Sequence, residues 1–186
     1  VKGRFGAKRV ALLGALTAGA LIMFLIESLF PSLILPGAKL GLGNIFTMLA
    51  VILLGGTEAT VLVVAKTVLG CLIVGNPGAL IYSLSAGLAS VAVGTFLFRF
   101  AFPKVSVVAI GVASAAVHNT VQNLVFCLVT NTPEMLALLP YLLLLGAGSG
   151  LAVGFAVYLL ITKIPVAVYE KVTDEGNKRT KNGGKK

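Results

Sequence analysis

Long apolar stretches, broken by short Gly/Pro-rich or polar punctuation, set the pattern of this chain. The first covers about 10–30 and stops at Pro31. Residues 31–43 (PSLILPGAKLGLG) form a Pro/Gly-rich connection. A short second stretch, about 44–54, can extend backwards into that connection and ends at the turn Gly55-Gly56-Thr57. The third, about 58–74, is closed by Gly75-Asn76-Pro77-Gly78, a cluster with turn chemistry. A fourth spans about 79–98 and a fifth about 105–129, ending at Thr130-Asn131-Thr132-Pro133. The sixth covers about 135–161. A run of about 20 apolar residues is enough to cross a bilayer core. The pattern therefore predicts an all-α integral membrane protein, a bundle of six transmembrane helices. It divides the chain into a basic N-terminus (1–9), a membrane domain (10–165) and a polar tail (166–186) whose composition is that of a disordered segment.

Composition supports this division. Hydrophobic residues make up 58% of the chain and charged residues only 11%, against about 25% charged in a soluble domain. So few charges cannot cover a water-facing surface. The first stretch is also too long and too glycine-punctuated for a cleaved signal peptide. A net charge of +9 raises the question of nucleic acid, but its distribution answers it. Lys2, Arg4, Lys8 and Arg9 precede the first stretch, and Lys163, Lys171, Lys178, Arg179, Lys181, Lys185 and Lys186 close or follow the last. Arg99 and Lys104 sit between the fourth and fifth. Basic residues concentrated in alternate short loops mark the cytoplasmic side, so both termini are expected in the cytoplasm, and no basic stripe interleaved with aromatics is left to bind nucleic acid. Lys39 alone falls in an outward loop, either as an anchor that snorkels to the interface or as a functional residue. Cys71 and Cys127 lie inside apolar stretches and read as small packing residues, since their spacing suits neither a metal site nor a disulfide framework.

Three of the predicted helices carry small residues at helical spacing. These are Ala7, Ala11, Ala15 and Gly19 on the first, Ser83, Gly87, Ser90 and Gly94 on the fourth, and Gly146, Gly150 and Gly154 on the sixth. Small residues let helix backbones approach closely in lipid. Packing within the bundle is the plain reading for the fourth and sixth. For the first, docking of a separate membrane subunit competes with it.

Polar residues inside apolar stretches are the strongest functional signal. A charged side chain near mid-bilayer costs about 2.5–3.5 kcal/mol on insertion scales. Lys66 sits near the middle of the third stretch, too far from either end to snorkel fully. The fifth carries His118-Asn119-Thr120-Val121-Gln122-Asn123. At helical spacing His118, Asn119, Gln122 and Asn123 share an arc of about 140°. Such a face can serve as interhelical hydrogen-bonding glue or line a polar cavity. With Lys66 added, the cavity is the better reading. Asn44 opens the second stretch just after Lys39, so Lys39, Asn44, Lys66, His118, Asn119 and Gln122 are candidates to line one outward cavity. Two lysines among amide donors suit an anionic group such as a carboxylate or phosphate. Glu27, near the outer end of the first stretch, is placed to pair with one of them.

Several chemistries are missing. There is no GxxxxGK[ST] phosphate loop. A lone His cannot make a zinc site. A magnesium-diphosphate enzyme needs clustered carboxylates, and the chain has a single Asp, Asp174 in the tail. No catalytic residue, metal ligand or cofactor site is assigned.

Taken together, Glu27 to Pro31, the run Leu35-Pro36-Gly37-Ala38-Lys39-Leu40-Gly41-Leu42-Gly43-Asn44, Lys66, His118-Asn119 and Gln122 resemble a known family. The chain is similar to the small substrate-binding (S) components of energy-coupling factor transporters. Within them it resembles the branch named heptaprenyl diphosphate synthase component I, or the Gx transporter family, over about 7–165. The resemblance implies a prokaryotic plasma-membrane protein of six helices. Its ligand would lie in an outward cavity capped by the first connecting loop, close to Lys39 and Asn44. The same resemblance implies that Ala11 and Ala15 dock a coupling membrane subunit, which works with separate ATPase subunits. The branch name implies prenyl transfer, but the aspartate-rich motif of prenyl synthases is missing.

Three functions therefore compete. The leading one is the substrate-capture component of an ATP-driven uptake transporter for a small anionic metabolite: a vitamin, flavin, quinone precursor or isoprenoid-related compound. The second is a noncatalytic membrane subunit of a prenyl diphosphate synthase, which would co-purify with a soluble Asp-rich partner. The third is a stand-alone secondary transporter in which Lys66 and His118 handle protons.

Overall fold

The computed structural model of the protein describes residues 6–29 and 41–163. All regular structure among them is helical: α1 (Ala7–Leu29), α2 (Gly43–Leu53), α3 (Gly56–Val74), α4 (Ala79–Phe100), α5 (Val107–Thr130), a 3-10 segment (Pro133–Leu138) and α6 (Leu139–Lys163). Five helical segments are long and apolar enough to cross a membrane, the last formed by the 3-10 segment together with α6. The exception is α2, whose 11 residues extend only about 16 Å against a hydrocarbon core of about 30 Å. The expected loop 31–43 falls largely outside the described residues, as do the tail 166–186 and the first five residues of the basic N-terminus.

The breaks between helices are where the sequence puts them, and each has a local cause. Gly55, at φ 110°, turns α2 back into α3 through a conformation open to glycine. Gly75 ends α3 in the left-handed region, with its N–H bonded to Cys71 and Leu72 carbonyls. Asn131 ends α5 in the same way at φ 54°. Ser106 caps α5 by accepting from the Ala109 amide, so α5 starts two residues later than expected. The predicted sixth stretch is split, because Pro133 opens a 3-10 segment before α6 begins.

Successive helices run antiparallel. Arg9 at the start of α1 meets Leu54 just beyond the end of α2. The first residue of α3, Gly56, faces Thr95 near the end of α4. Ser90 on α4 bonds to Ser114 on α5, while Tyr82 stacks edge-on against Phe126. Gly154 near the end of α6 faces Val108 at the start of α5. The start of α1 and the end of α6 thus lie at one end of the bundle, together with the α4–α5 connection. Lys8, Arg9, Arg99, Lys104 and Lys163 are all at that end; among the described residues the opposite loops carry no Lys or Arg.

The shortest helix forms the centre. Residues 49–54, at the end of α2, are all buried, in one cluster with Leu16 and Ala20 of α1, Leu62 and Val63 of α3, Val91 of α4 and Val157 of α6. A helix apolar on every side belongs inside a protein. The outer surface is apolar as well: Leu128 is 80% exposed and Leu144 74%, as a lipid-facing surface requires.

The small-residue rows on α4 and α6 pack inside the bundle. A Cβ on Gly87 would lie 2.6 Å from the Val63 side chain. On α6 the contact is backbone to backbone. A Cβ on Gly150 would lie 2.7 Å from the Val112 Cα, and one on Gly154 2.7 Å from the Val108 Cα. Gly148, two residues from Gly150, has nothing within 4 Å. Gly150→Leu should therefore lose more than the about 1–3 kcal/mol typical of overpacking, because backbone cannot swing aside. Gly148→Leu should melt like the parent protein in detergent. Equal melting of the two variants would mean that α5 and α6 do not meet along this seam.

Candidate functional site

The polar centre of the bundle is built where α2 begins. A helix that starts at mid-depth must find partners for its first amides in apolar surroundings, where unsatisfied backbone is costly; Asn44 and Ile45 donate to the Gly41 and Leu42 carbonyls. No side-chain N-cap serves α2. Instead Glu27 of α1 accepts the Leu42 amide on its Oε1. Lys66 of α3 reaches the same place from the other side. Its Nζ donates to Asn44 Oδ1 at 3.1 Å and to Thr47 Oγ1 at 3.0 Å. Both acceptors lie on the first turns of α2, and Lys66 is only 7% exposed. A Cβ on Gly43 would stand 3.7 Å from this ammonium and 3.1 Å from the Ala20 carbonyl oxygen, so glycine lets α1, α2 and α3 close around it. Lys66 and Asn44, picked from sequence, are thus brought together, joined by Thr47. Thr47 is three residues from Asn44, and its helical spacing was the signal for it. Lys39 lies outside the described residues.

The polar face of α5 is used partly for packing. Asn119 Nδ2 donates to the Leu142 carbonyl at 2.9 Å, and Asn123 Nδ2 to the Met135 carbonyl at 3.1 Å. The two amides fasten α5 to the start of α6 and to the 3-10 segment. With Gln122, Tyr82 and Phe126 they also line a cleft at the end of the bundle away from the basic residues.

A second cleft lies between α2, α4, α5 and α6. Asn44 and Thr47 line it, so it begins beside the Lys66 ammonium; Ser90, Ser114 and Ser149 add hydroxyls from three other helices. Sequence reasoning missed these serines, since each stands alone in an apolar helix and only the fold gathers them. The candidate residues accordingly divide between two clefts walled by α5. Ser114 and Ala115 face one, Asn119 and Gln122 the other. His118 is half-buried, one helical turn from both Ser114 and Gln122.

At the basic end Arg9 and Glu58 form an ion pair of 2.9 Å between α1 and α3, each side chain 12% exposed. The Arg9 guanidinium also donates to the Leu54 carbonyl oxygen just beyond α2. Meanwhile Ala7, Ala11 and Ala15 are exposed on the bundle surface, whereas Gly19 turns inward, where a Cβ would lie 2.5 Å from the Phe46 ring. Removing one partner of a buried ion pair strands the other charge and costs about 3–5 kcal/mol. Arg9→Leu and Glu58→Leu should each destabilise by that order, and the double variant should regain most of the loss. Additive losses in thermal melting would mean that the two side chains are not coupled.

The family model described as heptaprenyl diphosphate synthase component I matches residues 16–160, from the second half of α1 almost to the end of α6. No curated protein matches the chain. The matched segment takes in α2, Lys66, both clefts and the α5–α6 seam, and the protein belongs to the heptaprenyl diphosphate synthase component I family.

Proposed function

We propose that the protein is the substrate-capture component of a multi-subunit, ATP-driven uptake transporter in a prokaryotic plasma membrane. Its ligand is a small anionic metabolite. The observation that carries this reading is the buried Lys66 ammonium, held on Asn44 and Thr47 at the amide end of α2. A lysine there, beside the amide end of α2, can donate a charge-assisted hydrogen bond to a carboxylate or phosphate, with the Glu27 carboxylate already on the Leu42 amide. Asn44 lines the cleft that begins beside Lys66, and Asn119 and Gln122 line the other, with His118 between them on α5; Lys39 belongs to this reading by its sequence position alone. The protein itself is no enzyme. The chain has no GxxxxGK[ST] loop, so energy comes from separate ATPase subunits, reached through a coupling membrane subunit on the exposed Ala11 and Ala15 face. The family description supports a second reading, a noncatalytic membrane subunit beside a prenyl diphosphate synthase. Affinity purification from native membranes separates the two: ATPase and coupling subunits support the first, a soluble Asp-rich synthase the second.

In this reading the chain makes six passes, counting α2, with both termini in the cytoplasm. The asymmetry of Lys and Arg supports that orientation. In a background lacking Cys71 and Cys127, a cysteine replacing Asn76 should react with an impermeant thiol reagent in intact cells. One replacing Lys104 should react only after lysis, and the reverse pattern would invert the topology.

Site and docking face are separable by mutation. Lys66→Met removes the charge and should weaken retention of the co-purified metabolite by about 1.5–3 kcal/mol, the range for a hydrogen bond to a charged group. His118→Ala and Gln122→Ala should lose less, about 0.5–1.5 kcal/mol each. Ala11→Leu and Ala15→Leu should leave retention unchanged and abolish uptake, since added bulk blocks close helix approach. An unchanged metabolite profile in extracts of Lys66→Met would sink the ligand role, and loss of retention in the alanine variants would sink the docking role.

A further inference from the structure

The cleft between α2, α4, α5 and α6 has a direction. Because the helices alternate, the residues lining it can be ordered from mid-depth toward the basic end. On α2, Asn44 and Thr47 come first and Ile52 last; on α4, Ser90 precedes Phe98. Helix α5 runs the other way, and there too the hydroxyl of Ser114 lies toward mid-depth and Ile110 toward the basic end. Ser149 and Val153 repeat the order on α6. All four helices thus present a hydrogen-bonding group at the same end and an apolar one at the other. Packing accounts for Ser90, which donates to the Ser114 carbonyl across α4 and α5, but not for the rest, since an isolated serine in a membrane helix can satisfy itself on its own backbone at any height. Ser149 does so, donating to the Gly146 carbonyl.

The polar end adjoins the Lys66 ammonium through Asn44 and Thr47. The apolar end extends along α2 from Asn44 to Ile52, eight residues or about 12 Å, with no charged side chain in its lining. We propose that this cleft binds a single-chain amphiphile, with an anionic head, a phosphate or carboxylate, at Asn44 and Thr47 and an apolar chain directed toward the basic end. The inference rests on the anionic-ligand reading of Lys66 and names the class of that ligand. It is independent of whether the protein takes part in transport. A free amphiphilic metabolite and a membrane phospholipid share this chemistry. The space, walled by four helices, suits one chain and so the metabolite.

The test uses the whole protein in nanodiscs and a diazirine-bearing decyl phosphate, with labelled residues located by peptide mass spectrometry. Labelling is expected at Met48, Ile52, Val91 and Val153, and unlabelled decyl phosphate should suppress it. Lys66→Met should raise the concentration of decyl phosphate needed for suppression about ten-fold or more, while leaving that of decanol unchanged. Dioleoyl phosphatidic acid should compete poorly. Labelling confined to lipid-facing positions such as Leu128 and Leu144 would overturn the proposal, whatever uptake assays report. Equal competition by inorganic phosphate would overturn the role of the chain, and equal competition by phosphatidic acid would overturn the single-chain metabolite in favour of a bilayer lipid. Equal competition by decanol and decyl phosphate, unaffected by Lys66→Met, would overturn the anionic head and with it the anion role of Lys66. Because the wild-type labelling map is itself decisive, the test does not depend on any one variant folding.

Discussion

The bundle is organised around a helix that stops half-way. Once α2 begins at mid-depth, its amide end must be satisfied without water, and the surrounding helices are arranged to do so. Glu27 brings a carboxylate to the positive pole of α2, and at the other end Arg9 brings a guanidinium to the Leu54 carbonyl. Each charge has the sign that a helix dipole favours. Lys66 has the opposite sign for its end. It donates there to two acceptors on α2 itself, so charges of both signs gather at the start of this helix.

The two halves of the bundle are joined by different means. Among α1, α2 and α3 an apolar cluster is crossed by polar joints: the Glu27, Lys66 and Arg9 contacts, together with the Arg9–Glu58 pair. Between α5 and α6 the joint is mostly glycine. Gly111, Gly150 and Gly154 bring the two backbones together, and Asn119 adds one hydrogen bond across the seam at its far end. Close backbone contact gives van der Waals attraction over a long seam, the driving force available where apolar side chains gain nothing by leaving lipid. Clefts remain where neither kind of joint fills the space, and both lie along α5.

Much of this was legible in the sequence because membranes punish exceptions. Gly55, Gly75 and Asn131 mark helix ends through the backbone they require, and the breaks fell within a few residues of expectation. Lys66 stood out by its cost alone. Asn119 and Gln122 were found by helical spacing, and they do line one cleft. Spacing could not tell that Asn119 also spends its amide on the Leu142 carbonyl, or that Asn44 belongs to a different cleft from Gln122. The Arg9–Glu58 pair was hidden because Arg9 reads as a topology signal and Glu58 as a loop-edge acid, and nothing local joins residues 49 positions apart. The serines of the second cleft were hidden for the same reason, one to a helix.

The length of α2 has a consequence for how the protein is made. A membrane helix is commonly inserted as a unit that reaches from one interface to the other. At about 16 Å α2 has no stable transmembrane position by itself, because it cannot reach both interfaces of a core about 30 Å thick. Glu27, which takes the Leu42 amide, belongs to α1, already synthesised, and Lys66, which holds Asn44 and Thr47, to α3, which follows α2 through the Gly55 turn. The nascent chain therefore has to hold α2 at the interface, or paired with a neighbour, until Lys66 has emerged. Seating of α2 is then a late assembly step rather than an insertion step. Substitutions at Glu27 or Gly43 would act first on the yield of assembled protein in the membrane, at a stage before any ligand is met.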